Sequence, residues 1–413
     1  HINNGYVNNI YREVSETNIF LENSWDNLPG WFNSSWDYNA EPDFENTNDY
    51  PGNATSNLKG LLAASRERTL QPNGNFGSWL RTKYFYDEKG RLIQRHQSTD
   101  GSSKMTESML LNWNGELLES IEEHNYVRNE RGTVSINTTN RIHKKYQYDH
   151  AGRLTATNYE VIPHEGEPIA YVSEVEYDPL GRVKEETIDN NIIFTNQYNI
   201  RNWITQMSAT DSDNEYFELE LKYEKDAVTP QFAGNISAAV WASMEGVEQK
   251  YEFDYDGLNR LTQAGYGGVT ELTIYDRFST AYQYDIQGNI VQLTRNGKRY
   301  SYLGDTFGKM DSLEYRYSGN KLLGVYNWSF NHHWSPYGFN NYFLHPSTIN
   351  PVYEYDANGN MIKDHRLSKD IRYNLLNLPR EIEFTVSDNS SKVIRYTYTA
   401  SGQKISQQLM TDD

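Results

Sequence analysis

The sequence of 413 residues contains no cysteine. This absence excludes disulfide frameworks, thiolate zinc sites and cysteine nucleophiles, but it leaves the compartment open between oxidising and reducing. Long apolar runs are also missing: no stretch approaches the roughly 20 residues that span a bilayer, so we expect no membrane insertion. The chain begins at His1 without a basic and apolar leader, so we expect a processed or engineered fragment.

Basic residues are scarce as well. The 38 Lys and Arg stand against 56 Asp and Glu, and the net charge of −18 disfavours nucleic acid as a partner. Hydrophobic residues reach only 37 %, yet 33 Tyr raise the aromatic share to 14 %. Disordered acidic chains are poor in aromatics, so the composition predicts a folded protein. The length allows two or three ordinary domains, or one large all-β body.

A short motif recurs along the chain. Clear copies are KYFYDEKGRLIQ at 83–94, KYQYDHAGRLTA at 145–156, EVEYDPLGRVKE at 174–185, FDYDGLNRLTQ at 253–263, YQYDIQGNIVQ at 282–292 and YEYDANGNMIK at 353–363. Weaker copies lie at 110–119, 196–205, 371–380 and 396–405, and a shortened one, YRYSGNKLLG, lies at 315–324. Because the spacing is irregular, we expect loops of varying length between copies of a constant unit.

Each copy predicts a β-hairpin. Tyr-x-Tyr has the period of a strand, and D-x-x-G fits a type I turn closed by a G1 bulge, whose last residue is left-handed. In the ten full copies that residue is always Gly or Asn, which tolerate this geometry best. Gly152→Val should therefore destabilise its hairpin by about 1–2 kcal/mol or more.

The turn type also predicts the register of each hairpin, with Tyr and aliphatic side chains on one face and polar residues on the other. The expected opposing pairs are Tyr86–Leu92, Tyr148–Leu154, Tyr177–Val183, Tyr198–Ile204, Tyr255–Leu261, Tyr284–Ile290 and Tyr355–Met361. Two copies depart from the pattern, because Lys404 falls opposite Tyr398 and the other copy places Pro379 at that position. We expect those two hairpins to lie at an edge or to use another register.

The motif residues are candidates for a structural role: Tyr as wall packing, Asp with Gly or Asn as turn formers, and Arg as the partner of Asp. Four Asp–Arg pairs could also be read as an acid–base or binding array. Their repetition on four hairpins favours architecture, at about 0.2–1 kcal/mol per pair. The full set is Tyr86, Asp87, Gly90, Arg91, Tyr148, Asp149, Gly152, Arg153, Tyr177, Asp178, Gly181, Arg182, Tyr255, Asp256, Asn259, Arg260, Tyr284, Asp285, Gly288, Tyr355, Asp356 and Gly359.

The rest of the sequence suggests four segments. Residues 1–80 form a loop-rich N-terminal segment containing Trp, 81–223 and 251–413 hold the repeats, and 224–250 is an insertion. Within the first segment, 58–70 suits either a short helix or a strand. A possible ligand surface for sugar stacking is formed by Trp25, Trp31 and Trp36; the alternative is that these aromatics pack onto the sheet.

Known catalytic signatures are missing. The sequence has no P-loop, no H-E-x-x-H and no G-x-S-x-G, so we expect no enzyme activity and no cofactor. His332, His333 and His345 suggest a metal site only weakly, because adjacent side chains on a strand point to opposite faces. DSDNE at 211–215 lacks the Gly and the distal Glu of a calcium loop, so we interpret it as a polar turn. Acidic residues are plentiful, which leaves glycoside hydrolysis as an alternative.

The YxYDxxGRL unit closely resembles the YD repeat of the Rhs and teneurin families, over roughly 81–413. The resemblance implies an all-β fold, in which a spiralling antiparallel ribbon of β-hairpins forms part or all of a hollow shell. It also implies a secreted or cell-surface location. Bacterial members usually carry a core segment after the repeats, where autoproteolysis releases a toxin; no matching segment occurs here, so its catalytic aspartates cannot be assigned.

The functional expectation is therefore a non-enzymatic structural shell. Its partner would be the protein's own C-terminal toxin or effector domain, which the shell encapsulates or displays. The alternatives are a carbohydrate-binding or adhesion module that contacts a cell-surface glycan or protein, and an activity like that of a glycoside hydrolase.

Overall fold

A computed structural model describes residues 2–3, 21–29, 36–40, 42–44, 50–98, 103–130, 134–225, 229–244, 246–268, 276–299, 306–328, 339, 352–365, 368–385 and 390–411. Regular structure in these residues consists of β-strands. The described part of the chain holds no helix that is long and apolar enough to cross a membrane. The prediction of an all-β ribbon of antiparallel hairpins is confirmed.

The strands in the described residues are β1 (Ile2–Asn3), β2 (Leu21–Trp25), β3 (Leu62–Leu70), β4 (Phe76–Tyr86), β5 (Leu92–Ser98), β6 (Lys104–Leu111), β7 (Leu117–Glu130), β8 (Val134–Tyr148), β9 (Leu154–Ile162), β10 (Ile169–Tyr177), β11 (Val183–Ile188), β12 (Ile192–Tyr198), β13 (Ile204–Thr210), β14 (Glu215–Lys222), β15 (Ala238–Ser243), β16 (Gln249–Tyr255), β17 (Leu261–Gly268), β18 (Thr280–Tyr284), β19 (Ile290–Arg299), β20 (Thr306–Ser318), β21 (Lys321–Asn327), β22 (Tyr353–Tyr355), β23 (Met361–Asp364), β24 (Lys369–Tyr373), β25 (Pro379–Thr385), β26 (Ser391–Thr399) and β27 (Lys404–Thr411). Antiparallel pairing joins neighbours in the chain from β2 to β10, from β11 to β21 and from β22 to β24. β1 pairs with β2 in parallel.

The hairpin turns have the predicted geometry. In each of them the first residue accepts from the N–H of the left-handed residue, as Asp149 accepts from Gly152 at 3.0 Å. φ is positive at all ten bulge positions: Gly90, Gly115, Gly152, Gly181, Asn202, Asn259, Gly288, Gly359, Asn377 and Gly402. Predicted opposing pairs are confirmed at Tyr86–Leu92, Tyr148–Leu154, Tyr198–Ile204, Tyr255–Leu261, Tyr284–Ile290 and Tyr355–Met361.

The copy around Tyr398 does not use another register. Tyr398 lies opposite Lys404 across the same bulge that the other copies have. Lys404 is tolerated there because its ammonium lies 4.3 Å from the ring centroid of Tyr396, an aromatic face that attracts a cation. The copy before it closes the same turn through Asn374 and Leu378, and Pro379 then begins β25.

By its internal contacts the chain divides into two compact units. The first unit comprises His1–Val175, Arg372–Ile382 and Lys392–Asp413, and the second comprises Glu176–Ile371 and Glu383–Ser391. In the first unit a buried cluster joins residues before the repeats to the sheet: Phe44, Tyr50, Ile93, Leu110 and Ile121. In the second unit the buried cluster consists of Leu313, Val325, Val352 and Tyr353.

The first unit also brings the last repeats to the first strands. β26 pairs with β3 through Tyr398–Leu70 and Thr399–Thr69. The backbone N–H and the hydroxyl of Ser401 both donate to Glu67, across a separation of 334 residues. Residues 58–70, for which the sequence allowed either a short helix or a strand, contain strand β3 (Leu62–Leu70).

The 224–250 segment contains structure of the same kind as the repeats. β15 pairs with β14 on one side and with β16 on the other. The ribbon therefore continues through the predicted insertion. Residues 229–236 are irregular and are anchored by the Gln231 N–H, which donates to the Tyr223 carbonyl at 3.0 Å.

Candidate functional site

The motif aspartates hold their own turns together. Asp149 accepts hydrogen bonds from the backbone N–H of Ala151 at 2.8 Å and of Arg153 at 2.9 Å, and Arg153 Nε donates to its second oxygen at 2.7 Å. The Arg153 N–H is the largest cause that brings the pKa of Asp149 down to about 2. The same three contacts recur at Asp87, Asp178 and Asp256.

The motif tyrosines reach back to the preceding hairpin. Tyr284 donates its hydroxyl proton to the carbonyl of Leu261 at 2.6 Å, and Leu261 is the residue opposite Tyr255 in the hairpin before. Corresponding bonds of 2.6 to 2.9 Å join Tyr86–Leu62, Tyr148–Leu117, Tyr198–Val183, Tyr223–Ile204, Tyr255–Ile236, Tyr317–Ile290, Tyr355–Leu322 and Tyr398–Pro379. We call this series the tyrosine ladder.

The motif arginines reach forward to the following hairpin. Arg260 pairs with Asp256 in its own turn at 2.6 Å, and its Nη1 donates to the carbonyl of Asp285 in the next turn at 3.1 Å. Its guanidinium also lies 4.6 Å from the ring centroid of Tyr284. Arg91 and Arg182 make the equivalent forward bonds to Asn112 and Asn199, at 2.6 and 3.2 Å.

These contacts place the predicted motif residues inside the ribbon's own architecture. Nine tyrosines bond backward to the preceding strand pair, and Arg91, Arg182 and Arg260 bond forward from turns that Asp fixes. The roles of Asp, Gly and Arg within one hairpin follow from the sequence motif, but neither contact between hairpins was predicted. A signal for the backward bond was present: the position is Tyr in nine of the ten full copies, Leu111 in the tenth and Phe in none, as expected where a hydroxyl is used.

The predicted tryptophan surface is only partly described. Trp31 lies outside the described residues, Trp25 ends β2 opposite Leu62, and Trp36 packs against His96 with ring centroids 6.4 Å apart. Lys83 donates to the Trp36 carbonyl at 2.6 Å. Burial lowers the pKa of His96 to about 3, so this ring is neutral. Trp36 is thus a packing residue on the sheet in this structure.

A second set of aromatics lies in the second unit. Trp241 stacks on Tyr251 with ring centroids 5.7 Å apart, and edge-on contacts continue from Tyr251 through Tyr266 and Phe278 to Phe307, at 5.2 to 5.4 Å. Beside Trp241 lies an open cavity of about 350 Å³, lined among others by Gln197, Gln206, Glu218, Glu220 and Glu248. Trp241 lies opposite Leu219 in the paired strands, whereas Glu220 lies opposite Val240 and Gln206, so these carboxylates lie on the other face of the sheet from the Trp241 ring. The stacked rings and the acidic cavity are therefore two separate candidate surfaces.

The remaining candidate ligands give a mixed result. His332, His333 and His345 lie outside the described residues. In the DSDNE segment, Asp211 accepts from the backbone N–H groups of Asp213 and Asn214 and from the Tyr216 hydroxyl, as in a polar turn. Within the part of the chain that the structure describes, no group of three or more His, Asp or Glu side chains is placed to hold a metal.

Neither a protein-family profile nor the sequence of a curated protein matches the chain. Similar solved structures include TcdB2-TccC3-TEV, with 11 % identity and a TM-score of 0.32 over 86 % of this chain and 23 % of that chain. TcdB2-TccC3-Cdc42 has 10 % identity and a TM-score of 0.28 over 87 % of this chain and 26 % of that chain. A porin-like protein from Bacteroides uniformis has 13 % identity and a TM-score of 0.21, over 51 % of this chain and 93 % of that chain.

The chain therefore spans about a quarter of the length of the TcdB2-TccC3 chains that it resembles. At these identities and TM-scores the likeness carries no argument about function. The resemblance of the repeat to the YD family stays a prediction.

Proposed function

We propose that the chain is a non-enzymatic structural wall of a secreted or cell-surface protein, and that it encapsulates or displays an associated C-terminal polypeptide. The observation that carries the structural part is the two-way bonding of the hairpins, because the motif side chains serve the ribbon itself. The identity of the partner rests on the resemblance of the repeat to the YD family.

The bonding pattern suits a wall better than a single catalytic centre. The tyrosine ladder has nine members in the described residues, and the forward arginine bond recurs at Arg91, Arg182 and Arg260; both use a backbone carbonyl. Repetition makes the wall uniform along its length, as in other repeat proteins whose stability is a sum of units and their interfaces. A catalytic centre would instead need one location with groups that differ from their neighbours.

The partner role can be tested with an unfolded test polypeptide that carries one protease site and is fused after Asp413. If the wall holds the polypeptide, cleavage should be at least about tenfold slower than for the same segment free in solution. Protection should decrease in a Tyr198→Phe, Tyr284→Phe variant, which loses two ladder bonds. Tyr282→Phe is the matched control, and the fused polypeptide should stay protected from cleavage in this variant. Cleavage at the free rate, with an unchanged melting temperature of the wall, would contradict the proposal.

Carbohydrate binding is the second candidate, and the aromatic set around Trp241 favours it. Trp241 stacks on Tyr251, and this pair presents a flat aromatic surface of the kind on which a sugar ring can pack. On the other face of the same strands, Gln206 Nε2 donates to Glu218 at 2.6 Å and Glu220 pairs with Lys222 at 3.3 Å. A glycan array with Trp241→Ala, Trp36→Ala and the exposed Trp113→Ala as control would test it. Binding that Trp241→Ala abolishes supports this candidate, and loss with Trp113→Ala alone would speak against it.

The cavity lined by Glu218, Glu220 and Glu248 is where a glycoside hydrolase activity would have to reside, since a pair of carboxylates is its minimum requirement. Incubation of the full chain with the glycans it binds tests this alternative. Hydrolysis that Glu218→Gln abolishes while binding persists would replace the non-enzymatic proposal.

A further inference from the structure

Five neighbouring loops in the second unit each expose a large apolar side chain. The exposed fractions are 72 % for Leu180, 97 % for Ile200, 68 % for Phe232, 71 % for Leu258 and 93 % for Ile286. Four of them occupy the two central positions of the hairpin turns, where short polar residues are the usual choice. We call these five residues the apolar row.

Contacts between the loops show that the five loops follow one another along the same edge of the sheet. The first two loops are joined by Arg182 donating to Asn202 at 3.0 Å. The Phe232 loop meets its neighbours through Gly234, packed on Trp203, and through Asn235, which donates to Asn259 at 3.0 Å. Adjacent hairpins repeat about every 10 Å, which is two strand spacings, so five loops extend about 40 Å.

Several charged side chains in the described residues of these loops form ion pairs with one another. Ion pairs join Asp178 to Arg182, Arg201 to Glu224 and Asp256 to Arg260. Asp285 accepts from Asn289 at 2.9 Å, and its carbonyl is bonded to Arg260. In a chain with a net charge of −18, this row is a place where two copies can approach with little repulsion.

We propose that the apolar row is a self-association surface, on which two copies of the chain meet row against row around a two-fold axis. An isologous contact requires a patch that is complementary to itself, and a row of apolar side chains, whose packing has no donor or acceptor direction, meets that requirement. Phe232 is the central residue of the five and therefore lies nearest the axis. Exposed apolar patches of several hundred Å² mark interaction sites on soluble proteins, and a standard interface needs about 800 Å² from each partner.

The first test measures the mass of the full chain by sedimentation velocity between about 1 and about 100 µM. We expect a dimer that forms with rising concentration and that is strengthened by salt, which screens the like charge of the two bodies. Ile200→Lys with Ile286→Lys should shift half-dimerisation to at least about tenfold higher concentration without changing the melting temperature. Leu375→Lys, at an exposed turn outside the row, is the control and should dimerise as the unmodified chain does. A wild-type chain that stays monomeric throughout, or an unaffected double variant, overturns the proposal.

The second test locates the axis and uses the absence of native cysteine. Ala233→Cys places a single thiol beside Phe232, and Ala151→Cys places one at an exposed turn of the first unit. Under mild oxidation, Ala233→Cys should form disulfide-linked dimers at least about tenfold faster than Ala151→Cys, because only the former pairs near the axis. Equal rates for the two variants overturn the two-fold arrangement, and faster linking of Ala151→Cys places the contact elsewhere.

Discussion

The hydroxyl of Tyr284 donates to the backbone carbonyl of Leu261, 2.6 Å away, while the side chain of Leu261 lies opposite Tyr255. One residue thus packs against the tyrosine of its own repeat and accepts a hydrogen bond from the tyrosine of the next. Because the same arrangement recurs along the chain, the stability of a hairpin depends on its neighbour as well as on its own turn.

Removing one ladder hydroxyl should weaken the array locally. Tyr284→Phe keeps the ring and loses the bond to Leu261, so we expect the free energy of unfolding to fall by about 1 kcal/mol in urea titrations. Tyr282→Phe removes the same atom from the same strand, but the Tyr282 hydroxyl makes no hydrogen bond to the described residues. It should change stability by less than half as much, and equal effects of the two variants would contradict the ladder.

Left-handed glycines should not tolerate a side chain even where space is free. Gly359 has φ +88° and nothing within 4 Å of an added Cβ, so the cost of Gly359→Ala comes from the backbone. We expect about 1–2 kcal/mol or more of destabilisation. Gly359→Asn should recover most of it, since Asn occupies this position at Asn202, Asn259 and Asn377.

Gly257 provides the control for this prediction, because it also has open space but no positive φ. Gly257→Ala should be neutral, or stabilising by up to about 1 kcal/mol. Thermal unfolding of the three variants in parallel separates backbone strain from crowding.

Acid should weaken the turns. The pKa of Asp149 is about 2 in the folded protein against an ordinary 3.8, and the pKa values of Asp87, Asp178, Asp256, Asp285 and Asp356 are also lowered. The folded state therefore binds these protons more weakly than the unfolded chain does. Their stabilising contribution is complete above about pH 4 and is lost as the pH falls towards 2.

Asp149→Asn isolates one such group, because Asn keeps the acceptor oxygen but cannot ionise. The difference in urea midpoint between the unmodified chain and this variant should be largest near neutral pH and should shrink as the pH approaches 2. Glu88→Gln removes one carboxylate from an exposed turn position and serves as the control. A difference for Asp149→Asn that is constant with pH would refute the assignment.

The forward arginine bond should require arginine geometry as well as charge. Arg260→Lys keeps the cation but cannot contact Asp256, Asp285 and the Tyr284 ring together, so we expect a loss of about 1 kcal/mol. Lys184→Ala removes an exposed partner that lies 3.4 Å from Glu176 and should stay within about 0.5 kcal/mol. Chemical denaturation of both variants checks the contrast, which would disappear if Arg260 were only a surface charge.

Local features of the fold could be predicted from the sequence, because they are decided within a few residues. The left-handed positions and the pairing of Tyr86 with Leu92 follow from one turn type and its allowed residues. The polar residues before the motif tyrosines, such as Gln147 and Gln283, are exposed as the alternation of a strand requires.

Contacts between hairpins could not be predicted in the same way. The motif does not state which carbonyl a tyrosine hydroxyl reaches, since that depends on the stacking of whole hairpins. Nor does it reveal that Trp36 packs on His96 or that Trp241 begins an aromatic series with Tyr251. Those neighbours are separated by loops whose path the local pattern leaves free.

The pairing of β26 with β3 has a consequence for how the chain folds. Terminal repeats of an open array have one neighbour and are the first to fray, whereas β26 is held by β27 on one side and β3 on the other. Ser401 and Glu67 are 334 residues apart, so their contact carries a large loop-closure entropy and a high contact order. We expect the hairpins to form early from neighbouring segments. The pairing of β26 with β3 should form last, when the other hairpins are already assembled.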